Sequence, residues 1–223
     1  MINGIRLKIC GLTTLVDADL ADGCGADYLG FILYPQSPRY IPLETFKAMA
    51  KRLPPRKKVA VCVMPSPSEL VNYASAGFDL FQIHFPLETP DHVIASWAEN
   101  VGVNRLWLAP KLPPEVELPE SILSFSQAVL WDSFKKGSFG GTGETSDWAK
   151  FKRTKEAHPE KTWILAGGLN PENIGAAVQT TDTRFVDVNS GVESTPGVKS
   201  EEKLKRLVVA LHEATKHENP NYS

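Results

Sequence analysis

The chain has 223 residues and a formal net charge of −2, without the excess of basic residues that is typical of nucleic-acid binding. Hydrophobic residues make up 42% and charged residues 22%, which is typical of a globular protein with one large core. No apolar run reaches the ~20 residues of a membrane span, and the start, MINGIRLKIC, lacks the apolar segment of an export signal. We therefore expect a cytoplasmic protein with no nucleic-acid or membrane partner.

The cysteines are odd in number and lack the CxxC or Cys/His spacing of a zinc site. In a cytoplasm we expect all of them, Cys10, Cys24 and Cys62, to be reduced. Cys24 and Cys62 fit the pattern of small core residues. Cys10 differs because it ends the first predicted strand.

The predicted elements alternate between short apolar strands and amphipathic helices along the whole chain. In the first half, strands are predicted at 5–10, 27–33, 58–64 and 79–85 and helices at 13–24, 44–53, 67–77 and 90–100. In the second half, strands are predicted at 103–109, 127–132, 162–168 and 184–191 and helices at 115–123, 146–157, 171–180 and 200–215. The helix at 115–123 has the weakest pattern.

Such strand–helix units, each of about 25–30 residues, are typical of a parallel sheet. Eight of them in a chain of this length favour an α/β fold, the closed (β/α)8 TIM barrel, over an open doubly wound sheet. No Gly/Ser-rich linker or charge block divides the chain, so we expect residues 1–223 to form a single domain. The polar tail from about residue 215, KHENPNYS, is expected to fray.

Polar residues at the carboxyl ends of the predicted strands are the candidates for function, because barrel active sites form at those ends. These positions are occupied by Cys10, Gln82, His84, Asp132 and Asp187. Asp132 follows the apolar run AVLW, and burial there would raise its pKa and suit it to act as a general acid. The alternative is that it caps or braces a loop.

Lys8 and Cys10 lie on the same face of the first predicted strand, about 6.6 Å apart along it. A nearby ammonium lowers the pKa of a thiol, so one hypothesis is that Lys8 supplies a Cys10 thiolate near neutral pH. The alternative is that Lys8 pairs with an acidic residue inside the barrel and Cys10 only packs.

Glycine-rich stretches follow the last three predicted strands: GGTG at 140–143, AGGL at 166–169 and NSGV at 189–192. Glycine lets backbone N–H groups approach an anion closely, and the last two loops are the usual phosphate site of this fold. The candidate phosphate-binding residues are Gly141, Gly143, Gly167, Gly168, Ser190 and Gly191. Arg39, in the loop after the second strand, is a planar cation suited to a carboxylate.

No metal-ligand spacing and no Walker or Rossmann spacing is present. The residues alone therefore predict a metal-free acid–base reaction on a phosphorylated small molecule.

The motifs KICGLT, GFILYPQSPRYI, QIH, FGGTGETSDW, LAGGLNPENI and VDVNSGVESTPGVK occur in order along nearly the whole chain. Together they resemble the phosphoribosylanthranilate isomerase family of tryptophan biosynthesis. The resemblance implies an Amadori rearrangement without cofactor or metal, with Cys10 as general base and Asp132 as general acid. It also implies that Arg39 holds the anthranilate carboxylate and that Gly167, Gly168, Ser190 and Gly191 bind the phosphate. We expect Gln82, His84 and Asp187, at their strand ends, to contact the substrate.

Some positions depart from the family pattern: Phe85 replaces a glycine, Trp131 a small aliphatic residue and Asn189 a serine, and the basic residue of the fifth strand comes only at Lys111. Three alternatives stay open. One is a related barrel isomerase of histidine biosynthesis, or a bifunctional enzyme, although Cys10 stands where those are expected to have an aspartate. The others are a metal-dependent pentose-phosphate epimerase, for which no metal cluster can be assembled, and an inactive barrel that senses a phosphorylated ligand. The sequence leaves open the oligomeric state and any contact with other enzymes of the tryptophan pathway.

Overall fold

Eight parallel strands close into a barrel in the computed structural model, which describes residues 1–133 and 147–215. The strands, in order around the barrel, are β1 Arg6–Ile9, β2 Tyr28–Ile32, β3 Lys57–Val63, β4 Leu80–Pro86, β5 Leu106–Lys111, β6 Ala128–Trp131, β7 Thr162–Leu165 and β8 Phe185–Val188. The barrel closes where β1 pairs with β8, in a register that runs from Arg6 opposite Phe185 to Ile9 opposite Val188. The predicted (β/α)8 barrel is confirmed.

A helix follows each strand. The helices are α1 Leu15–Gly23, α2 Leu43–Ala50, α3 Pro67–Ser75, α4 Asp91–Val101, α5 Glu120–Leu123, α6 Trp148–Ala157, α7 Ile174–Thr181 and α8 Glu201–Ala214. The weak pattern at 115–123 yields only the four-residue α5. Within the described ranges, no helix combines the length and apolar character needed to cross a membrane. The tail predicted to fray lies, from residue 216 onward, outside the described residues.

Side-chain caps explain where several helices begin. Ser66 forms a capping box with Glu69, and Pro67 occupies the first turn of α3, where its missing N–H costs no hydrogen bond. Asp147 and Ser200 accept hydrogen bonds from the first turns of α6 and α8.

Alternate residues of β1 face opposite sides of the barrel wall. Leu7 and Ile9 belong to the apolar layer between the strands and the helices, whereas Cys10 belongs to the cluster inside the barrel. The Arg6 guanidinium lies 4.5 Å from the ring centre of Phe185, near the amino ends of the strands. Lys8, between Arg6 and Cys10, therefore faces the interior, and its side chain is completely buried.

Two strands were predicted longer than they are. The segment predicted as a strand at 162–168 ends at Leu165, because Gly167 and Gly168 take φ values of +86° and +63° that a strand cannot contain. The segment predicted at 184–191 ends at Val188, since Asn189 leaves the extended conformation and the short 3₁₀ helix Ser190–Val192 follows.

A hairpin that was not predicted connects this 3₁₀ helix to α8. Its antiparallel strands are β9 Glu193–Thr195 and β10 Val198–Lys199. The buried residues Glu193 and Lys199 lie opposite each other, while Val198 is half exposed. The hairpin thus directs two charged side chains into the protein.

Candidate active site

A cavity of about 420 Å³ opens at the carboxyl ends of the strands. It brings together most of the predicted site residues, namely Cys10, Arg39, Gln82, His84, Asp132, Gly167, Gly168, Asp187 and Ser190. Gly191 adjoins Ser190 but does not line the cavity. Gly141 and Gly143 lie outside the described residues. A cavity of this size is in the range of small-molecule sites.

Lys8 makes a buried ion pair with Asp187. Its ammonium lies 2.9 Å from each Asp187 carboxylate oxygen, and the two side chains are 0% and 7% exposed. Burial by itself would lower the pKa of Lys8, but the charge and hydrogen bonds of Asp187 hold it above its ordinary value. The alternative reading of Lys8, an acidic partner inside the barrel, is therefore observed.

Burial raises the pKa of the Cys10 thiol above its ordinary value, although the Lys8 ammonium acts in the opposite direction. The hypothesis of a thiolate near neutral pH is not supported, since the desolvation of a thiol inside the barrel outweighs the neighbouring charge. Lys8 still keeps the pKa of Cys10 lower than burial alone would leave it, so the ion pair with Asp187 and an effect of Lys8 on Cys10 occur together.

Replacing Lys8 with methionine should raise the pKa of Cys10 further, because the cation is lost and the Asp187 carboxylate remains. We expect alkylation of Cys10 at pH 8 to slow by ~10-fold or more, since one pKa unit changes the thiolate fraction tenfold. The rate is measured with iodoacetamide after subtraction of the signal from a Cys10→Ala variant.

The control is the double variant Lys8→Met, Asp187→Asn, which leaves no unpaired buried carboxylate. Breaking one side of a buried ion pair costs about 3–5 kcal/mol, so the single variant should unfold at lower urea concentration than the double variant. An alkylation rate that Lys8→Met leaves unchanged would contradict the coupling between Lys8 and Cys10.

Asp132 follows β6 at the rim of the cavity, and its own carboxylate oxygen accepts a hydrogen bond of 2.8 Å from the backbone N–H of Ser133. Burial raises its pKa to about 6, and the Ser133 hydrogen bond only partly opposes this. A carboxylic acid with this pKa holds a proton in a useful fraction of molecules near neutral pH, as a general acid requires.

Gln82 and His84 form a pair on the interior face of β4. The Gln82 Nε2 donates to His84 Nε2 over 2.8 Å, and burial together with the charge of Lys8 lowers the pKa of His84 to about 4. His84 is therefore neutral in the physiological range. Among residues 1–133 and 147–215, the buried Gln82 Oε1 has no hydrogen-bond partner, which leaves an acceptor for a ligand hydroxyl or N–H.

The glycine-rich loops after β7 and β8 pack closely on neighbouring backbone. A Cβ built on Gly167 would lie 2.5 Å from the Ser133 nitrogen, and one built on Gly191 would collide with the Leu169 carbonyl oxygen. Only glycine fits at these two positions because of this packing, while binding of a phosphate by the loops stays a prediction.

Arg39 lies beside Cys10 in the cavity but is already bound by a carboxylate that the sequence reasoning missed. Its Nε donates to Glu193 Oε1 over 2.8 Å, and its Nη2 donates to Glu193 Oε2 over 2.7 Å. These hydrogen bonds raise the pKa of Arg39 and keep it charged. Lys199 Nζ lies 2.9 Å from Glu193 Oε1. Both missed residues occur within the quoted motif VDVNSGVESTPGVK, but only their pairing in space shows what they contact.

The packing also shows where the two other cysteines and two of the departures from the family pattern lie. Cys62 is buried as expected but also lines the cavity, while Cys24 is partly buried at the end of α1. Phe85 and Trp131, two departures from the family pattern, point away from the cavity towards the helices, where they pack on Trp97 and on Phe151. Neither substitution therefore changes the cavity wall directly.

Apolar cavity residues were also missed, because apolar residues at strand ends give no functional signal in a sequence. They include Ile32, Val61, Val63 and Leu169. Within the part of the chain that the structure describes, no group of three or more His, Cys, Asp or Glu side chains is arranged to hold a metal ion.

Comparison with known proteins identifies the family. A family model described as N-(5'phosphoribosyl)anthranilate (PRA) isomerase matches residues 7–210. A relative from Syntrophus aciditrophicus named N-(5'-phosphoribosyl)anthranilate isomerase is 38% identical over 214 residues, which cover 92% of this chain and 86% of the relative.

Solved structures agree with this assignment. The phosphoribosyl anthranilate isomerase of Thermotoga maritima superimposes with a TM-score of 0.79 at 32% identity, covering 93% of this chain and 98% of that one. A phosphoribosyl anthranilate isomerase solved in complex with reduced 1-(o-carboxyphenylamino)-1-deoxyribulose 5-phosphate superimposes with a TM-score of 0.75 at 31% identity, with the same coverage. The resemblance found in the motifs is confirmed, and the chain belongs to the N-(5'-phosphoribosyl)anthranilate isomerase family.

Proposed function

We propose that this chain converts N-(5'-phosphoribosyl)anthranilate to 1-(2-carboxyphenylamino)-1-deoxyribulose 5-phosphate, the isomerisation of tryptophan biosynthesis. The observation that carries the proposal is that Cys10 and Asp132 line one cavity together with Arg39, Gly167 and Gly168. A substrate with a phosphate at one end and a carboxylate at the other suits this arrangement. The product analogue bound by a family member supports the same ligand class.

Asp132 is the proposed general acid. Its carboxyl group gives a proton to the ribose ring oxygen as the bond between that oxygen and C1 breaks, and the nitrogen lone pair forms the C1=N bond of a Schiff base. With a pKa of about 6, Asp132 has a proton to give in part of the enzyme population at neutral pH.

Cys10 is the proposed general base. Its thiolate removes the proton from C2, the C2–H electron pair forms a C1–C2 double bond, and the C=N pair returns to nitrogen to give an enolamine. Loss of the C2 hydroxyl proton and protonation at C1 then yield the ketone, so no atoms or electrons are gained. The Lys8 ammonium beside Cys10 stabilises the thiolate that this step needs.

The remaining predicted residues hold the substrate in this proposal. Gly141, Gly143, Gly167, Gly168, Ser190 and Gly191 bind the phosphate, and Arg39 binds the anthranilate carboxylate. The unpartnered Gln82 Oε1 accepts from a ribose hydroxyl or from the anilino N–H, while neutral His84 fixes the Gln82 amide. Asp187 acts through Lys8, which it holds beside Cys10.

The alternative function is binding of a phosphorylated ligand without turnover. The outward positions of Phe85 and Trp131 weigh against it, because these departures leave the cavity wall unchanged. Cys10 in place of an aspartate weighs against the histidine-pathway isomerase.

The test is turnover by the purified protein. Phosphoribosylanthranilate is generated in situ, and its fluorescence decay is followed in the presence of excess downstream synthase to avoid product inhibition. Decay well above the uncatalysed background supports the isomerase. Background decay together with equilibrium binding of the reduced product analogue would instead support the sensor.

A further inference from the structure

We propose that Glu193, on the β9–β10 hairpin, is a positioning residue that aims Arg39 at the substrate carboxylate, with Lys199 preserving the positive charge there. The inference rests on the proposed function and deepens it, because it explains how the site selects a substrate that carries a carboxylate on its aromatic ring. The hairpin lies in the loop between β8 and α8, and Arg39, which its Glu193 binds, lines the cavity.

The Arg39–Glu193 contact fixes the plane of the guanidinium. Nε and Nη2 of Arg39 both donate to the Glu193 carboxylate, and the two side chains are 9% and 4% exposed. Two parallel hydrogen bonds define an orientation that one bond would not. In the described part of the chain, Arg39 Nη1 makes no hydrogen bond to another residue, and Arg39 lines the cavity, so Nη1 remains available for a ligand carboxylate.

Lys199 compensates the negative charge that Glu193 brings next to Arg39. A carboxylate on Arg39 would cancel the positive charge that attracts an anion, but the buried Lys199 ammonium lies 2.9 Å from Glu193 Oε1. Burial lowers the pKa of Lys199, but the Glu193 carboxylate beside it favours the charged form. With Lys199 protonated, two cations and one anion leave a net charge of +1 beside the cavity. Arg39 can therefore be held by one carboxylate and still attract a second.

Lys199 also contacts the phosphate side of the cavity. Its Nζ lies 3.1 Å from Asn189 Oδ1 and 3.2 Å from the Asn189 carbonyl oxygen. Asn189 lines the cavity and directly precedes Ser190 of the proposed phosphate site. A single hairpin thus connects the residues proposed for the two ends of the substrate.

The hairpin itself is anchored so that Glu193 and Lys199 cannot turn outward. The backbone N–H of Lys199 donates to Asp17 over 2.8 Å, the Glu193 carbonyl accepts from Lys203 over 2.7 Å, and Thr13 donates to the Gly197 carbonyl over 2.8 Å. Buried ion clusters often contribute no more stability than apolar residues of the same volume, so stability alone does not account for three buried charges here.

The test compares two substrates: phosphoribosylanthranilate, and the analogue without the carboxylate, prepared by condensing aniline with ribose 5-phosphate. Glu193→Gln keeps the shape of the side chain, but its amide offers Arg39 one acceptor oxygen in place of two. The amide N–H₂ group then faces a second N–H donor of the guanidinium, with which it cannot form a hydrogen bond. We expect its KM for the carboxylated substrate to rise ~10- to 100-fold with a smaller change in kcat, which is the size of one charge-assisted hydrogen bond. The kcat/KM of the analogue should fall by much less, by about threefold at most.

Arg39→Lys removes the planar fork, so adding Glu193→Gln to it should cause little further loss for the carboxylated substrate. Val198→Thr is the matched control, since Val198 lies beside Lys199 on the same hairpin but is 50% exposed and lies outside the ion cluster. It should change neither substrate's kinetics. If Glu193→Gln does not fold, Glu193→Asp replaces it, because aspartate keeps the negative charge but is one methylene shorter. Glu193→Asp should lose less of the preference for the carboxylated substrate over the analogue.

Equal losses on both substrates would overturn the proposal and make the hairpin a support of the fold only. An unchanged KM for phosphoribosylanthranilate in Glu193→Gln and Glu193→Asp would overturn it as well. Failure of the proposed function looks different, because the parent protein itself would then turn over neither substrate.

Discussion

Cys10→Ala should lower kcat for phosphoribosylanthranilate by ~100- to 10,000-fold, the usual contribution of a positioned general base. Among the described residues that line the cavity, two other candidate acceptors for the C2 proton are already engaged, His84 with Gln82 and Asp187 with Lys8. The KM should change only a few-fold, since a thiol contributes little binding energy to a phosphorylated substrate. The measurement is steady-state fluorescence decay at pH 7.5.

Cys62→Ala is the matched control for Cys10→Ala. Cys62 is also a buried cysteine that lines the cavity, but it lies on β3 and makes only a long contact of 3.7 Å to the Gln82 carbonyl oxygen. Its replacement should leave kcat within about threefold, because a small core cavity rarely moves a rigid site far. Similar losses in both variants would show that Cys10 acts through packing rather than as a base.

Substrate deuterated at C2 separates the chemical role from a structural one. If Cys10 removes this proton in a slow step, the parent should show a primary isotope effect on kcat. A Cys10→Ser variant, with a weaker base at the same place, should show an effect at least as large. An isotope effect that is absent from both proteins would move the slow step elsewhere, to ring opening or product release.

The barrel and the central pair of the site could be predicted because they depend on local patterns. The alternation of apolar strands and amphipathic helices predicts the closed sheet, and the carboxyl ends of the strands predict which polar residues meet. The parity of β1 correctly places Lys8 and Cys10 on one face, as the ion pair inside the barrel confirms. These inferences need only the period of a strand and the topology of the fold.

The environment of those residues could not be predicted, because it depends on contacts between distant parts of the chain. Arg39 and Glu193 are 154 positions apart and meet only because barrel closure brings β8 next to β1. The choice between the two hypotheses for Cys10 could not be made for a similar reason: the sequence shows the neighbouring lysine but not the burial, whose effect on the thiol pKa outweighs it. The hairpin is two short strands of mixed polarity, and such segments lack the apolar alternation that predicts a strand.

Asp132→Asn should lower kcat by ~100- to 10,000-fold and should also change the pH dependence of kcat. In the parent, activity needs a protonated Asp132 and an ionised Cys10. The pKa of Asp132, about 6, lies below that of the Cys10 thiol. Between these two pKa values, each rise in pH lowers the fraction of protonated Asp132 by the same factor by which it raises the fraction of ionised Cys10. The fraction of enzyme in which both conditions hold is therefore constant over that range. The parent's kcat should therefore fall below about pH 6 and be constant through neutral pH.

Asp132→Asn should remove this plateau. Its residual kcat should rise tenfold per pH unit through the neutral range, since it depends only on ionisation of Cys10. The substrate phosphate also titrates near pH 6, so kcat at saturating substrate is compared rather than kcat/KM. A variant profile with the same plateau as the parent would show that another group supplies the proton.

Stability offers a second measurement on Asp132→Asn that does not depend on activity. A carboxyl group whose pKa is raised in the folded protein is destabilising once it ionises, so the folded parent loses stability as the pH rises from about 4 to about 6. The asparagine variant lacks this loss and should be about 1–2 kcal/mol more stable than the parent at pH 8, but not at pH 4. This is less than the full value of a two-unit pKa shift, ~3 kcal/mol, because Asp132 is partly exposed to the cavity.

Urea unfolding at pH 4 and pH 8 measures the difference in stability between the asparagine variant and the parent. A gain in stability of equal size at both pH values would show that the gain comes from packing and not from charge. If Asp132→Asn is more stable than the parent above pH 6 and nearly inactive there, the buried carboxyl group of Asp132 lowers stability but is required for proton transfer in the reaction.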